Sequence, residues 1–571
     1  MTDTAATEQR RKLKGFALLG AALTNRKIGV MLAFGFAAGL PYALLLGTLY
    51  AWLSDAQVDL ETMGVFSLIG LAYAFKFLWS PVIDRTALPG TSRFGRRRSW
   101  LIPAQAALGV ILIVLSMLNP QTSLGWFSLL AGFGAFASAT QDITIDAWRV
   151  DQADDVATLD ILSTVYQLGY RIAALAGGAL ALIVAERTGW PAVYFGMGVA
   201  MLVVLGVTFL APDSDRVTIA NEDEHGLREA GALTPAVRRT ALAIVGVLWG
   251  WALVTVIVFM VRSLGAAPED RPNPTEFIQL YGPLIVVATV IVPSIIAAVL
   301  DHWQRTGRHV NPAAITAASR LDRAIDHGYG ALILPLSELV GRLKWAAILV
   351  LALILSYRFT DAVWGTFAYP FYLGELAYTN DEVAVASKFF GVGMTMLGIT
   401  LAAVLFSWIG RMATVVLGAA IAAASNLLYA DLALGGGGLD AFGRATGLYW
   451  LFGLFGSDER LSRLLLAISG ENIAGGLAGA AFVAYLSSIA SKRYSAVQYA
   501  LLSSLTFLVG SLGRGALGEA IEVHGYAWVF YLTAAIGLIA VVLSILEWMR
   551  ERANRYRDVA PPTRPEAEAA V

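Results

Sequence analysis

The chain has 571 residues, of which 57% are hydrophobic and only 15% charged, and its mean hydropathy is +0.65. A soluble globular chain is about 45–50% apolar and about 25% charged, so these figures exclude an ordinary soluble enzyme and a disordered protein and point to an integral membrane protein. Lysine plus arginine (41) nearly cancels aspartate plus glutamate (42), which leaves no basic excess for nucleic acid; the absence of cysteine excludes disulfides, thiolate metal sites and cysteine nucleophiles.

A spanning helix needs about 20 mostly apolar residues. Residues 1–27 read as a cytoplasmic N-terminal segment. Apolar runs then predict spans near 28–53, 62–83, 100–118, 124–147, 161–185 and 191–211, a six-helix bundle over 28–211. Residues 212–345 form a central connector holding two further spans near 240–262 and 278–300, expected as a lipid-facing hairpin. The leucine-rich stretch 330–343 is expected as an interfacial helix. Spans near 346–372, 383–409, 412–431, 463–490, 496–518 and 526–547 build a second six-helix bundle over 346–548. The external loop 433–462, with Gly435 to Gly438, is expected as a flexible connector. Residues 549–571 are expected as a disordered cytoplasmic tail. The fold class is thus all-α integral membrane, with fourteen transmembrane helices. No cleavable signal peptide is expected, because the first apolar run is too long and no small-residue cleavage site follows it.

Orientation follows from the basic residues. One side carries Lys27, Arg85, Arg93, Arg96, Arg97, Arg98, Arg149, Arg238, Arg305, Arg342, Arg411, Lys492 and others, 30 of the 41. The other side carries six. Both termini are therefore expected in the cytoplasm, which an even number of spans permits.

Ionisable groups inside a membrane are costly and mark cavities or pairs. The spans contain Lys76, Asp142, Asp146, Arg171, Arg358, Asp361, Lys388, Glu471 and Arg514. Numbering twelve spans without the inserted pair, these fall on spans 2, 4, 5, 7, 8, 10 and 11; spans 3, 6, 9 and 12 have none in their interiors. The charged spans are the candidate lining of a central cavity, repeated in two halves as in a transporter built from repeats. Asp142 and Asp146 share one helix face, with Arg149 one turn on. A carboxylate in a low-dielectric site holds a proton more readily and can carry it between two faces; the bland alternative is a helix-end cap or a structural Asp–Arg network. Asp142, Asp146, Glu471 and Asp361 are the proton-coupling candidates. Lys76, Arg171 and Lys388 suit an anionic solute, Arg through its planar fork, or they pair with Asp142, Asp361 and Glu471 to hold the halves together. Arg358 lies one turn before Asp361 and is a simple partner for it; Arg514 reads as snorkelling. Tyr42, Tyr73, Tyr166, Tyr170 and Tyr369, with Gln167 beside the third and fourth in the chain, suit a sugar, as do Trp52, Trp79 and Trp364 unless these three anchor at the interface. Gly35, Gly39 and Pro41 in the first span, and Gly470, Gly475, Gly476 and Gly479 in the tenth, mark close packing or a bend. The run GVGMTMLG at 391–398 lies inside an apolar span without a preceding strand, so it is no phosphate loop. No histidine has metal-site spacing, no cofactor is expected other than the coupling proton, and no catalytic constellation is present.

Several segments carry a family likeness. FSLIGLAYAFKFLWSPVIDR followed by FGRRRSWLIP, SATQDITIDAWRVD followed by LGYR, and then FTDAVWGTF, SKFFGVG, ENIAGG and SAVQYALLSSL stand in order along both halves. Together they resemble the AmpG-type muropeptide permeases of the major facilitator superfamily. The resemblance implies proton-driven import of GlcNAc–anhydroMurNAc, with or without a peptide, across a Gram-negative inner membrane by a monomer. Lys76, Asp142, Asp146, Arg171, Asp361, Lys388 and Glu471 stand at family-matching positions. It also implies a cytoplasmic gate latched by Asp84, Arg85 and Arg96, with Arg149 nearby. The inserted 240–300 hairpin and the long 433–462 loop depart from the family pattern. A porter for another solute, and a non-transport membrane assembly factor, remain the alternatives.

Overall fold

The computed structural model describes residues 14–58, 68–212, 233–266, 270, 272–310, 320–358 and 367–559. Asp361 and Trp364 lie outside them, as does the side chain of Arg514. The described chain is helical. A short α1 (Gly15–Leu23) leads into α2 (Arg26–Asp55), α3 (Leu68–Ala74), α4 (Ser80–Arg85), α5 (Arg96–Met117), α6 (Leu124–Gln152), α7 (Leu159–Thr188) and α8 (Trp190–Leu210). The connector holds α9 (Pro235–Gly265), α10 (Glu276–Arg305), α11 (Arg320–Leu332) and α12 (Leu334–Leu343). The second half comprises α13 (Ala346–Tyr357), α14 (Asn380–Trp408), α15 (Arg411–Ala433), α16 (Gly437–Ala445), α17 (Leu448–Gly453), α18 (Glu459–Ile489), α19 (Ser495–His524) and α20 (Tyr526–Val559).

Among the described residues, ten helices are long and apolar enough to cross a membrane, or eleven if α12 and α13, bent by 102°, count as one span. Of the four expected spans that do not qualify alone, α6 and α19 carry long buried stretches, at 138–152 and 495–505. From Ser138 to Gln152 nearly every side chain of α6 is buried by protein. A helix enclosed by other helices need not be apolar toward lipid. That is why α6 can carry Asp142, Asp146, Arg149 and Asp151.

Small residues set the helix spacing. A Cβ on Gly35 of α2 would lie 2.2 Å from the Tyr166 carbonyl oxygen, and one on Gly169 of α7 would lie 2.2 Å from that of Leu32. The second half repeats the device: Gly398 of α14 faces Ile473 O at 2.1 Å and Gly476 of α18 faces Thr395 O at 2.2 Å. These glycines serve close packing. The first span also carries a π turn at Leu44–Thr48, just after Pro41. The spans free of interior charge pair with one another, α5 against α8 through Gly109 and Gly198, and α15 against α20 through Ala423 and Gly537.

Two expectations change. The 433–462 segment is not a plain flexible connector: Gly435 and Gly436 turn the chain with φ of 101° and 75°, and α16 and α17 follow. Asp440 of α16 accepts both Nε and Nη2 of Arg463, at 2.8 and 2.6 Å, together with the Tyr449 hydroxyl at 2.7 Å. At the other end, helix α20 runs to Val559 instead of stopping near 548. Its Glu547 accepts both Arg550 donors, at 2.6 and 2.7 Å. The stretch from 560 lies outside the described residues. The 330–343 stretch is helical as expected, but divided between α11 and α12.

Candidate transport site

The second expected span is broken where its lysine sits. Proline 81 has no N–H for the carbonyl of Phe77, and the Ser80 hydroxyl takes that carbonyl at 2.8 Å. A 3₁₀ turn at Lys76–Leu78 separates α3 from α4 and delivers Lys76, 7% exposed, into the bundle. There it meets the face of α6 that carries Asp142 and Asp146. Lys76 Nζ is ion-paired to Asp142 Oδ2, and lies 3.7 Å from Asp146 Oδ2. Tyr166 OH of α7 donates to Asp142 Oδ1 at 3.0 Å. Arg149 Nη2 donates to Asp146 Oδ1 at 2.8 Å, and its Nε donates to Ser487 Oγ of α18 at 3.1 Å. Its guanidinium is stacked between Tyr166, at 4.7 Å, and Tyr499 of α19, at 5.0 Å.

The cluster therefore holds two cations and two carboxylates, all largely buried, with one cation hydrogen-bonded to the other half of the molecule. The geometry matches the pairing reading of Lys76, though within the first half and not between the halves. Lys76 is a buried cation, and it is paired with both acids of α6.

Four of the candidate tyrosines form a continuous ladder above the cluster. Ring centroids run 5.2 Å from Tyr73 to Tyr42, 6.1 Å from Tyr42 to Tyr170 and 6.2 Å from Tyr170 to Tyr166. Tyr73 OH donates to Ser138 Oγ at 2.7 Å. Arg171 and Gln167 stand on the same helix, α7, partly buried. Trp52 departs from the aromatic set: it is 5% exposed and packs in the core against Phe127 and Tyr194. Trp79 donates to Thr140 Oγ1 at 3.1 Å.

The candidates of the second half lie apart from the cluster. Lys388, exposed on a π turn of α14, sits 5.6 Å above the ring of Tyr369. Glu471 of α18 accepts Asn472 Nδ2 at 2.7 Å, and Asn472 Oδ1 accepts the Thr395 hydroxyl at 2.7 Å. Arg358 caps α13, and a Cβ on Gly479 would lie 3.5 Å from its Nη1.

The contact between the halves at the arginine-rich end is built on a residue outside the three expected there, Arg97. Fully buried Arg97 donates from Nη2 to Asp84 Oδ1 at 2.9 Å and from Nε to Asp151 Oδ2 at 2.8 Å. The same Nη2 reaches Ser495 Oγ of α19 at 2.9 Å, and that hydroxyl donates to Asp151 Oδ1 at 2.8 Å. Arg96 meets Asp151 at 3.5 Å, while Arg85 lies against α11, where a Cβ on Gly330 would fall 2.5 Å from its Nη2. Further links at this end join Arg411 Nε to Asp160 at 2.5 Å and Lys492 Nζ to Ala153 O at 3.2 Å. The two halves are thus latched together at the arginine-rich end. Asp151, Ser487, Ser495 and Tyr499 escaped the sequence reading because nothing marks a hydroxyl or a helix-end aspartate as an inter-half contact. Arg97 had a signal: it lies in helical register with Leu101, Gln105, Leu108, Leu112 and Leu115, the buried stripe of α5.

Comparison with known proteins sharpens this geometry. Residues 27–175 match the family described as Acetyl-coenzyme A transporter 1. The chain is 29% identical over 542 residues to the anhydromuropeptide permease of Escherichia coli (strain K12), covering 93% of this chain and 83% of that one. It is 25% identical over 520 residues to the putative transporter AmpG 4 of Rickettsia conorii, covering 91% and 95%. Among solved structures, a proton:xylose symporter of the major facilitator superfamily, XylE, aligns at TM-score 0.47 and 13% identity over 92% of this chain and 94% of that one. The human organic anion transporter MFSD10 aligns at TM-score 0.49 and 12% identity over 91% and 99%. The sequence relatives are AmpG-type permeases. This chain is a multi-pass membrane protein of transporter type, not an enzyme.

Proposed function

We propose that the chain is a secondary active transporter of the major facilitator type. It imports anhydro-muropeptides, GlcNAc–anhydroMurNAc with or without a short peptide, from periplasm to cytoplasm for cell-wall recycling, driven by protons. The cluster of Lys76, Asp142, Asp146 and Arg149 at the foot of a tyrosine ladder carries this reading. The cargo class rests on the similarity to permeases so named.

In this reading the sugar rings stack along Tyr42, Tyr73 and Tyr170. A proton reaching Asp142 neutralises the partner that holds Lys76. The ammonium then keeps only Asp146, at 3.7 Å, and becomes available to a lactyl or peptide carboxylate of the cargo. Arg171 and Lys388 supply further positive charge. Because Arg149 binds both Asp146 and Ser487, a change of charge in the cluster is felt directly at the contact between the halves. Rocking of the halves then breaks the Asp84–Arg97–Asp151–Ser495 latch and opens the cytoplasmic side. On this reading, with both termini cytoplasmic, the Arg97 latch is what holds the cytoplasmic side shut. Glu471 and Asp361 remain candidates for a second proton site.

The test is uptake of radiolabelled GlcNAc–anhydroMurNAc into cells lacking their own permease. Accumulation that collapses on adding an uncoupler is expected, with no concentrative uptake by Asp142→Asn. No accumulation above background rejects the cargo; accumulation that survives the uncoupler rejects proton coupling.

A further inference from the structure

The connector helices create a second chamber, away from the transport site. Helices α10, α12, α13 and α19 border a half-open cavity of about 580 Å³, within the range of about 300–1,000 Å³ typical of ligand sites. Its walls are apolar, with Val290 and Ile295 from α10, Leu339 from α12, Ile348 and Val350 from α13, and Leu505 from α19. Polar character is concentrated at one end. There Asp301 is paired to Arg305 at 2.8 Å, and Arg305 Nη2 also donates to the Gly341 carbonyl at 2.9 Å, which pins α10 to α12. Beside this clamp the chain turns by 102° between α12 and α13, at Lys344 and Trp345. Lys344 has a φ of 52° and is exposed; among the described residues it forms no ion pair. Trp345 is 87% exposed.

We propose that an anionic membrane phospholipid occupies this cavity, its acyl chain among α10, α13 and α19 and its phosphate against Lys344. The distribution of chemistry along the cavity favours that occupant over a soluble ligand. A water-borne solute needs polar groups along its length, whereas these walls offer hydrocarbon and a single charged rim. That rim lies at the arginine-rich end of the molecule, at the depth where headgroups lie. An exposed tryptophan next to a lysine is the arrangement that meets such a layer. The partner side chains also fit, since Arg305 is committed to Asp301 and leaves Lys344 as the available cation. The bound lipid would wedge the connector helices against the second half and so join them to the gate. Gln498 of α19 already donates to Glu338 Oε2 and the Pro335 carbonyl of α12, at 2.6 and 2.8 Å.

The experiment is native mass spectrometry of the full chain in detergent, titrated with phosphatidylglycerol and phosphatidylcholine of the same acyl composition. One retained phosphatidylglycerol is expected, preferred about fivefold, the factor for one basic residue near an anionic surface. Lys344→Glu should erase that preference. Ala347→Phe and Ser294→Phe, which fill the cavity from opposite walls, should each remove the retained lipid while the melting temperature in lipid-free detergent stays within a few degrees of the parent. Two wall variants keep the test open if one fails to fold. An unchanged preference in Lys344→Glu, or the same retained lipid in a folded wall variant, overturns the proposal in favour of a loose annular lipid.

Discussion

Lys76 offers the sharpest test of the cluster, because its removal and its rescue have opposite consequences. Nζ lies 3.7 Å from Asp146 Oδ2, an attraction of ~4 kcal/mol at an effective dielectric of about 20. The contact to Asp142 is closer still. Lys76→Met leaves Asp142 and Asp146, 17% and 4% exposed, sharing Arg149 alone. Breaking a buried pair from one side costs roughly 3–5 kcal/mol, because a charge remains without its partner. Removing Asp142 together with Lys76 restores neutrality: Asp146 then keeps Arg149, at 2.8 Å. The double variant Lys76→Met/Asp142→Asn should therefore be more stable than Lys76→Met, with a coupling of about 2–3 kcal/mol. The assay is a double-mutant cycle on the purified full chain, read as the thermal unfolding midpoint in detergent. Losses that simply add would refute the pairing of Lys76 with Asp142. Transport separates from stability here: the double variant should fold well yet fail to concentrate cargo, since it has lost both the proposed proton carrier and the proposed cargo cation.

The gate predicts an accessibility change. Arg97→Gln leaves Asp84 buried without its cation and Asp151 with only the longer contact to Arg96, at 3.5 Å, so Val150→Cys, the sole thiol in a chain without cysteine and packed among side chains of the second half, should react several times faster with a thiol reagent applied from the arginine-rich side; an unchanged rate would deny Arg97 the latch. Gly35→Ala should lower the unfolding midpoint, because its Cβ would fall 2.2 Å from a carbonyl oxygen and overpacking costs about 1–3 kcal/mol, whereas Gly29→Ala, with open space around it, should not; equal effects would count against the α2–α7 contact. The external helices carry a pH signature. The hydrogen bond from Arg463 holds Asp440 below the ordinary carboxylate range, so its contribution is present above about pH 4 and is lost as acid protonates it below that. Proteolysis between 433 and 462 should stay flat from pH 7 to 5 in the parent and rise at pH 7 in Asp440→Asn; a rise in the parent between pH 7 and 5 would contradict the pairing.

The parts of the fold that hydropathy can read were legible in the sequence, and the rest failed for identifiable reasons. Apolar run length placed α2, α5, α8 and α15 within a few residues. The uncharged spans pair with one another, α5 with α8 and α15 with α20, but charge does not sort the spans by burial: α5 and α15 are more enclosed by protein than the charged α7 and α14. The tyrosine ladder followed from side-chain type and span membership. What escaped was phase. In the run Gly95-Arg96-Arg97-Arg98 the three arginines lie about 100° apart around a helix, and Arg97 is the one that continues the buried stripe of Leu101, Gln105 and Leu108, a register the motif alone does not weigh. The external helices were missed for a different reason. A run of four glycines suggests flexibility, yet two of them take left-handed conformations that end α15 and start α16, and the Asp440–Arg463–Tyr449 bonds hold the result.

The two sequence readings of the intramembrane charges, cargo binding and mutual pairing, are not rivals once the geometry is set. A cation that must release cargo needs somewhere to go, and in a medium of low dielectric it cannot stand alone. Asp142 and Asp146 give Lys76 that place when no anion is present. A carboxylate cargo and a proton together replace what they supply: the proton removes one negative charge and the cargo brings one. The charge of the cluster is then the same empty as it is loaded with both. It departs from neutrality by one unit when only one has bound. A carrier that reorients readily only when its cluster is neutral would move empty or with both, and that is the condition for coupling. The prediction is that cargo lacking any carboxylate should bind to the tyrosine ladder but should not be concentrated.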